Sequence, residues 1–316
     1  MSPPPAAVAA DTAAFSPSSP LPAAAALARP DSPFRAILMI LASSGLFAAG
    51  DIAAKLMTDA MPGIEVAWLR YAVFCALILP PVFAWRGRRA LKVPRPSLQV
   101  ARGIAVAGSS VLFIVGLEYL DVAEATAINF VSPIFITALS IPLLGERVGL
   151  RRWAAALVGF LGVLIVVQPG GEAFSLAAFL PMGAAACWAV GAVTTRMMQA
   201  DHPEVTLAWS SIVGLAVTTV LVVPEWTTPS LELLGVAVVM GAFSAGGHWL
   251  VIRAFRTAAA STLAPFSYVQ ILYAGLLSFV FLGAVPALWT FVGGAVIALS
   301  GLYTAHRERL ARRAAR

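Results

Sequence analysis

Charge is what this 316-residue chain has least of: Asp, Glu, Lys and Arg make up 11% of it, against 60% apolar residues and a mean hydropathy of +0.88. Soluble domains carry roughly 25% charged residues, and a soluble all-α protein needs polar helix faces that these segments lack. Cysteine is nearly absent too. Cys75 and Cys187 each lie inside an apolar run, which leaves no disulfide framework and no metal-ligand spacing. The three histidines are scattered, and neither HExxH nor a cluster of paired carboxylates with histidine occurs, so an intramembrane enzyme is disfavoured and no catalytic residue, metal or cofactor is expected. No GxxxxGK[ST] phosphate loop is present, which speaks against ATP-driven transport by this chain alone.

What is present is apolar sequence in long runs from Phe34 to Tyr303. Runs of about twenty residues match the roughly 30 Å hydrocarbon core of a bilayer. Breaking the chain at Pro, Gly and charge clusters predicts ten spans, at about 36–57, 63–85, 98–117, 123–144, 153–168, 175–198, 204–223, 232–253, 262–282 and 287–304. The fifth is the shortest, and its Ala155 and Gly159 lie one turn apart, which suits close helix contact. Residues 1–33, rich in Pro, Ala and Ser, have no apolar period and no signal-peptide pattern, and are expected to form a disordered cytosolic tail.

The few charges are sorted by sign. "RGRRALKVPR", "ERVGLRR", Arg196, Arg253 with Arg256, and the tail "HRERLARRAAR" fall on one side if the spans alternate. Asp59, Glu118, Asp121, Glu124, Glu172, Glu225 and Glu232 fall on the other. The positive-inside rule then puts both termini in the cytosol. It also explains the net charge of +6 as orientation signals facing anionic lipid, so the partner is the bilayer and not nucleic acid.

The sequence repeats itself. A shift of 141 positions lays "AAGDIAAKLMTDAMPGIEVAW" on "AVGAVTTRMMQADHPEVTLAW" without a gap, matching Ala48, Gly50, Met57, Pro62, Ala67 and Trp68 to Ala189, Gly191, Met198, Pro203, Ala208 and Trp209. A weaker match relates "AEATAINFVSP" to "AAASTLAPFSY". Each half then holds five spans. Because five is odd, the halves are expected to be inverted, an arrangement common in secondary transporters.

"ATAINFVSPIFITALSIPLLGERVGLRRWAAALVGFLGVLIVVQPG", with a proline in the fourth span, an "LGE" turn, a tryptophan and a glycine-rich fifth span, resembles the drug/metabolite transporter superfamily, EamA type. "DIAAKLMTDAMPGIEVAWLRY" is similar to the start of its bacterial S-adenosylmethionine transporter subgroup. The resemblance implies an all-α membrane protein of ten transmembrane helices arranged as two inverted five-helix repeats. Their bounds would be 34–170 and 171–304, with a basic cytosolic tail at 305–316. It implies a multi-pass protein of the plasma membrane, a bacterial inner membrane, acting as monomer or homodimer. The second copy departs from the first, having Ala284 where the first has Glu146.

Charges inside hydrocarbon cost at least a few kcal/mol, about 2.5 or more on the mildest scale, so those in the first two spans need partners. Asp51 and Lys55 share one helix face, with Ser44 a heptad before Asp51. Arg70 lies about 10 Å inside the second span. Glu65 is nearer the surface. A structural ion pair, with Lys55 and Glu65 snorkelling to the interface, is one account; the other is a substrate site in which the arginine fork receives a carboxylate. The fourth span carries Thr126, Asn129, Pro133, Thr137 and Ser140 on one face, and Pro133 frees a backbone carbonyl there. The corresponding stretch of the second copy offers Ser261, Ala264, Tyr268 and Gly275, with Gln270 beside them. His248 is a candidate titrating group. Trp68 and Trp209 occupy the matched positions of the repeat, either at the lipid interface or lining a cavity.

The substrate-binding candidates are therefore Asp51, Lys55, Glu65, Trp68, Arg70, Asn129, Pro133, Trp209, His248, Tyr268 and Gln270. They suit a secondary transporter of a small polar metabolite, an amino acid or derivative of the S-adenosylmethionine kind, driven by protons or by an exchange counter-substrate. An exporter of non-zwitterionic compounds and a passive channel are the alternatives.

Overall fold

Apolar runs rich in Ala, Leu and Val can satisfy their backbone polar groups in hydrocarbon only by closing the hydrogen bonds within each segment, so they form helices. The computed structural model describes residues 33–87, 91–145, 149–168, 175–198, 201–257, 263 and 266–314, and no strand occurs among them. The N-terminal tail, Glu146, Glu172, Ser261 and Ala264 lie outside the described residues.

The first half contains α1 (Pro33–Thr58), α2 (Gly63–Arg86), α3 (Pro96–Gly116), α4 (Val122–Asn129), α5 (Ser132–Leu144) and α6 (Leu150–Val167). The second contains α7 (Phe179–Met197), α8 (Pro203–Val222), α9 (Leu231–Thr257), α10 (Val269–Leu282) and α11 (Leu288–Ala314). Seven of the described helical segments are long and apolar enough to cross a membrane, one of them Val122–Leu144, which joins α4 and α5. Trp153–Val167, Val269–Leu282 and Leu288–Tyr303 are shorter apolar helices. The chain is an all-α membrane protein.

Proline and glycine set the boundaries. Pro96 and Pro203 open α3 and α8, where a missing N–H costs nothing. Gly145 and Gly283 close α5 and α10 with φ of 67° and 65°, a left-handed turn that favours glycine. The "LLG" and "FLG" stretches of the two halves thus end their helices alike. The fourth span is interrupted over residues 130–131, where the Phe130 and Val131 N–H groups bond Thr126 O and Ile128 O at 3.1 and 3.0 Å. Pro133 lies in the first turn of α5 and has no N–H to offer the Asn129 carbonyl. The last helix continues beyond the expected end near 304, because Arg, Glu, Leu and Ala in the basic tail are all good helix formers.

The helices pack in long pairs: α1 along α9, α3 along α7, α2 along α8, and α6 along α11. At the last contact Ser300 Oγ–H donates to the Ala155 carbonyl at 2.5 Å, and a Cβ on Gly159 would stand 3.2 Å from Ser300 Oγ. The small residues expected to allow close approach do face a neighbouring helix. A buried core around Met57, Val66, Leu117, Ile128, Val163, Met240 and Ile297 runs through both halves. Leu157, Leu161, Phe279 and Phe281 point outward and are exposed, as a lipid-facing surface requires.

A candidate substrate site between the first, second, eighth and ninth spans

Packing α1 against α9 and α10, and α2 against α9, brings side chains from four helices to one place. Asp51 of α1 is buried. Its Oδ1 lies 3.8 Å from Arg70 Nη1 of α2, and its Oδ2 accepts a long bond of 3.5 Å from Gln270 Nε2 of α10. Arg70 Nε donates to Ser244 Oγ of α9 at 3.2 Å. One turn further on, His248 Nδ1 lies 2.8 Å from the Ser244 carbonyl. A carbonyl only accepts, so Nδ1 carries a proton and Nε2 is the nitrogen left to face the site.

Aromatic rings gather around His248. The Phe47 ring meets His248 edge-on at 5.0 Å, Phe74 meets it at 5.4 Å, and Tyr71 stands edge-on to Phe74 at 6.5 Å. The Tyr71 ring sits where α8 has no side chain: a Cβ on Gly214 would fall 2.1 Å from Tyr71 Cε1.

The geometry of the ion pair matters most. An N–O distance of 3.8 Å holds the charges together without a good hydrogen bond. A guanidinium has five N–H donors, and an ionised carboxylate about four acceptor positions. Arg70 spends one donor on Ser244, and Asp51 spends one oxygen weakly on Gln270. Both charges therefore keep hydrogen-bonding capacity for a ligand.

The other candidates fall elsewhere. Lys55 Nζ donates to the Leu117 carbonyl at 2.5 Å and pairs with Asp59 at 3.9 Å, which ties α1 to the end of α3. Glu65 is fully buried, its Oε2 accepting from Thr227 N at 3.1 Å and Thr227 Oγ1 at 2.6 Å, so it fastens the segment after α8 onto α2. Trp68 Nε1 donates to Thr219 Oγ1 at 2.8 Å, with its ring edge-on to Trp226 at 5.2 Å. Trp209 Nε1 donates to the Leu91 carbonyl at 3.2 Å. Trp68 thus ties α2 to α8, and Trp209 ties α8 to the connection between α2 and α3. Asn129 and Tyr268 stand at the contact of α4 with α10: Tyr268 packs on Phe130 at 5.1 Å between ring centres, and Asn129 Oδ1 is buried without a partner among the described residues. The Pro133 carbonyl accepts from Thr137 Oγ1 at 2.8 Å.

Sequence reasoning missed Phe47, Tyr71, Phe74 and Ser244, which have no signature inside an apolar helix. It also passed over Arg102, whose charge within the third span was a usable signal.

Membrane-crossing helices packed around buried, incompletely satisfied opposite charges define a membrane transport protein. The chain belongs to the EamA-like transporter family, whose sequence profile matches residues 34–168 and again 175–305. It is a transporter of small metabolites and not an enzyme. It is 26% identical over 275 residues to the S-adenosylmethionine uptake transporter of Rickettsia bellii, covering 87% of this chain and 93% of that one. It is 28% identical over 243 residues to the riboflavin transporter of Vibrio cholerae, covering 76% and 82%. The pseudopaline exporter of Pseudomonas aeruginosa is 24% identical over 270 residues, covering 84% and 93%. A crystal structure 22% identical in sequence superposes with a TM-score of 0.61, covering 88% of this chain and 99% of its own, and shares the fold.

Proposed function

We propose that this chain carries an amphoteric metabolite, an amino-acid derivative of the S-adenosylmethionine kind, across a bacterial inner membrane by alternating access. The observation that carries this reading is the loose Asp51–Arg70 pair at 3.8 Å. Arg70 receives the substrate carboxylate in its fork, and Asp51 receives the ammonium or another cation. A neutral sugar would leave both charges poorly paired, which is costly in a buried site. The aromatic cluster of Phe47, Tyr71 and Phe74 beside His248 suits a cationic or planar aromatic group. Among the relatives, the S-adenosylmethionine transporter's name supports the whole reading, whereas riboflavin shares the planar heteroaromatic ring and has no carboxylate, so it supports the aromatic part alone.

The transporter has ten crossings, in two five-helix repeats of opposite orientation, residues 34–170 and 171–304, with both termini cytosolic. Seven long and three shorter apolar helices support ten crossings. The helix pairing supports a two-fold relation: exchanging the halves turns the α1–α9 contact into α7–α3, and leaves α2–α8 and α6–α11 unchanged. Asn129 and Tyr268, at the contact between α4 and α10, move as the site changes the side to which it opens. A proton taken up by Asp51 or His248, or an exchanged counter-substrate, completes the cycle.

Purified protein in vesicles, screened with labelled S-adenosylmethionine, amino acids, nucleosides and sugars, tests the reading. Saturable uptake and counterflow of amphoteric compounds are expected. Uptake restricted to sugars or polyols, or unsaturable flux, contradicts it. A cysteine at Thr58 is expected to be labelled from outside only; labelling only from the cytosolic side overturns the orientation.

A further inference from the structure

A second guanidinium, Arg102, stands on α3, which starts at the face opposite to the start of α2 in the proposed topology. Arg102 is the seventh residue of α3, roughly 9 Å from its start at a rise of 1.5 Å per residue. Arg70 lies about 10 Å from the start of α2, which begins at the other face in the proposed topology. In a hydrocarbon core of roughly 30 Å the two groups are then separated by about 10 Å along the membrane normal.

Arg102 is held in an unusual way. Its Nε–H donates to Thr195 Oγ1 of α7 at 2.7 Å, and its Nη1–H to Ser210 Oγ of α8. Each hydroxyl gives its own proton to its helix, Thr195 to the Gly191 carbonyl at 2.6 Å and Ser210 to the Thr206 carbonyl at 2.8 Å. Both are therefore fixed as acceptors, and the guanidinium is oriented by three helices with no negative charge upon it. Among the described residues no carboxylate pairs with Arg102. The nearest acidic group along the hydrogen-bond network, Asp201, is occupied by Gln99 Nε2 at 2.7 Å, one turn before Arg102. Two of its five donors are spent on the hydroxyls. Tyr71 and His248 are near enough to both Arg70 and Arg102 to feel their charge.

We propose that Arg102, framed by Thr195 and Ser210, is a second oxyanion-binding station on the cytosolic side of the Asp51–Arg70 site. It takes the carboxylate of the metabolite as that enters or leaves through the cytosolic opening. The proposal rests on the reading above that the cargo bears a carboxylate. A lipid-headgroup phosphate offers the same oxyanion chemistry, and the experiment separates the two sources.

The test uses the full-length protein in phosphatidylcholine vesicles. Arginine modification by phenylglyoxal is followed at Arg102 by peptide mass spectrometry, with succinate, S-adenosylmethionine or the carboxyl methyl ester of S-adenosylmethionine present. Succinate and S-adenosylmethionine are expected to slow modification severalfold, and the ester to leave it unchanged. In vesicles of known orientation, Arg102→Gln is expected to raise the half-saturation concentration measured from the cytosolic face about tenfold, the loss of a charged hydrogen bond, and that from the outer face less than about twofold. If Arg102→Gln does not fold, Arg102→Lys, which keeps the charge and loses the fork, serves for the same comparison. Lack of protection by either carboxylate overturns the proposal. So does protection seen only when phosphatidylglycerol is added, which makes Arg102 a headgroup anchor. An equal change at both faces identifies a scaffold residue and overturns it as well. If succinate protects and no amphoteric compound is carried, the station stands and the reading of function falls.

Discussion

In residues 48–70 the repeated segment carries Asp51, Lys55, Glu65 and Arg70; in residues 189–211 the same positions hold Ala192, Arg196, Thr206 and Ser211. The shared residues do comparable work in both copies. Trp68 of α2 reaches Thr219 of α8, and Trp209 of α8 reaches the Leu91 carbonyl in the connection that follows α2. Where the copies differ, the chemistry differs. Arg70 faces a carboxylate and a hydroxyl from two other helices. Ser211, its counterpart, is buried and gives its proton to Ala208 of its own helix at 2.9 Å. Glu65 fastens a loop through charge, whereas Thr206 accepts from Gln99 at 3.3 Å. The matched tryptophans hold helices together, while two of the unmatched charges, Asp51 and Arg70, form the candidate site and Glu65 serves the scaffold. A symmetric scaffold does not require a cation at position 70, so its presence points to the ligand.

Removing Arg70 should break this comparison most severely. Arg70→Gln loses the fork and leaves Asp51 without its counter-charge, a penalty of about 3–5 kcal/mol for a split buried pair. Transport in vesicles should fall separately by about 100-fold or more, from the loss of two charged hydrogen bonds to the carboxylate, and Arg70→Ser with Ser211→Arg should not restore it, because Ala192 supplies no carboxylate. Rescue by the exchange would show that the halves are chemically interchangeable. Asp51→Asn comes next: uptake of zwitterions should drop about tenfold, in line with one charged hydrogen bond, with simple carboxylic acids becoming relatively better competitors. Unchanged selectivity among competitors would remove Asp51 from recognition.

Glu65→Gln addresses the scaffold and not the site. It keeps one acceptor for Thr227 and loses the charge, so thermal unfolding in detergent should show a loss of about 1–2 kcal/mol, with half-saturation for transport unchanged. A large change in half-saturation at normal stability would move Glu65 into the site. Trp68→Phe should have the smallest effect. It removes the bond to Thr219 and keeps the ring, costing about 1 kcal/mol, with transport rates within about twofold of wild type by the same reasoning. Loss of transport by this variant would mean that the indole contacts substrate.

Helices were readable from the sequence because hydrocarbon leaves an apolar run no other regular structure, and their ends because Pro96, Pro203, Gly145 and Gly283 punctuate the chain. Asp51 and Arg70 were readable because a charge inside a span needs a partner, and each is the other's. Lys55 and Glu65 carried the same signal, yet the structure gives them to a carbonyl and a threonine. Their partners, Leu117 and Thr227, are 62 and 162 residues away, and no local pattern marks them. Gln270 was named from its neighbours in the ninth span, and it does reach Asp51. Ser244 could not be found that way. A hydroxyl in a helix that can bond its own carbonyls looks ordinary until a second helix is laid against it.

In the proposed site Arg70 reads the substrate carboxylate. Counterflow of labelled S-adenosylmethionine in vesicles, competed by the unlabelled compound and by its carboxyl methyl ester, measures this directly in wild type and in Arg70→Gln. The ester should compete far more weakly than the acid in wild type, by about tenfold or more for a lost charged pair, and the difference should vanish in Arg70→Gln as acid and ester become equally poor. An ester penalty that persists undiminished in Arg70→Gln contradicts the account, and would leave the Asp51–Arg70 pair as scaffold.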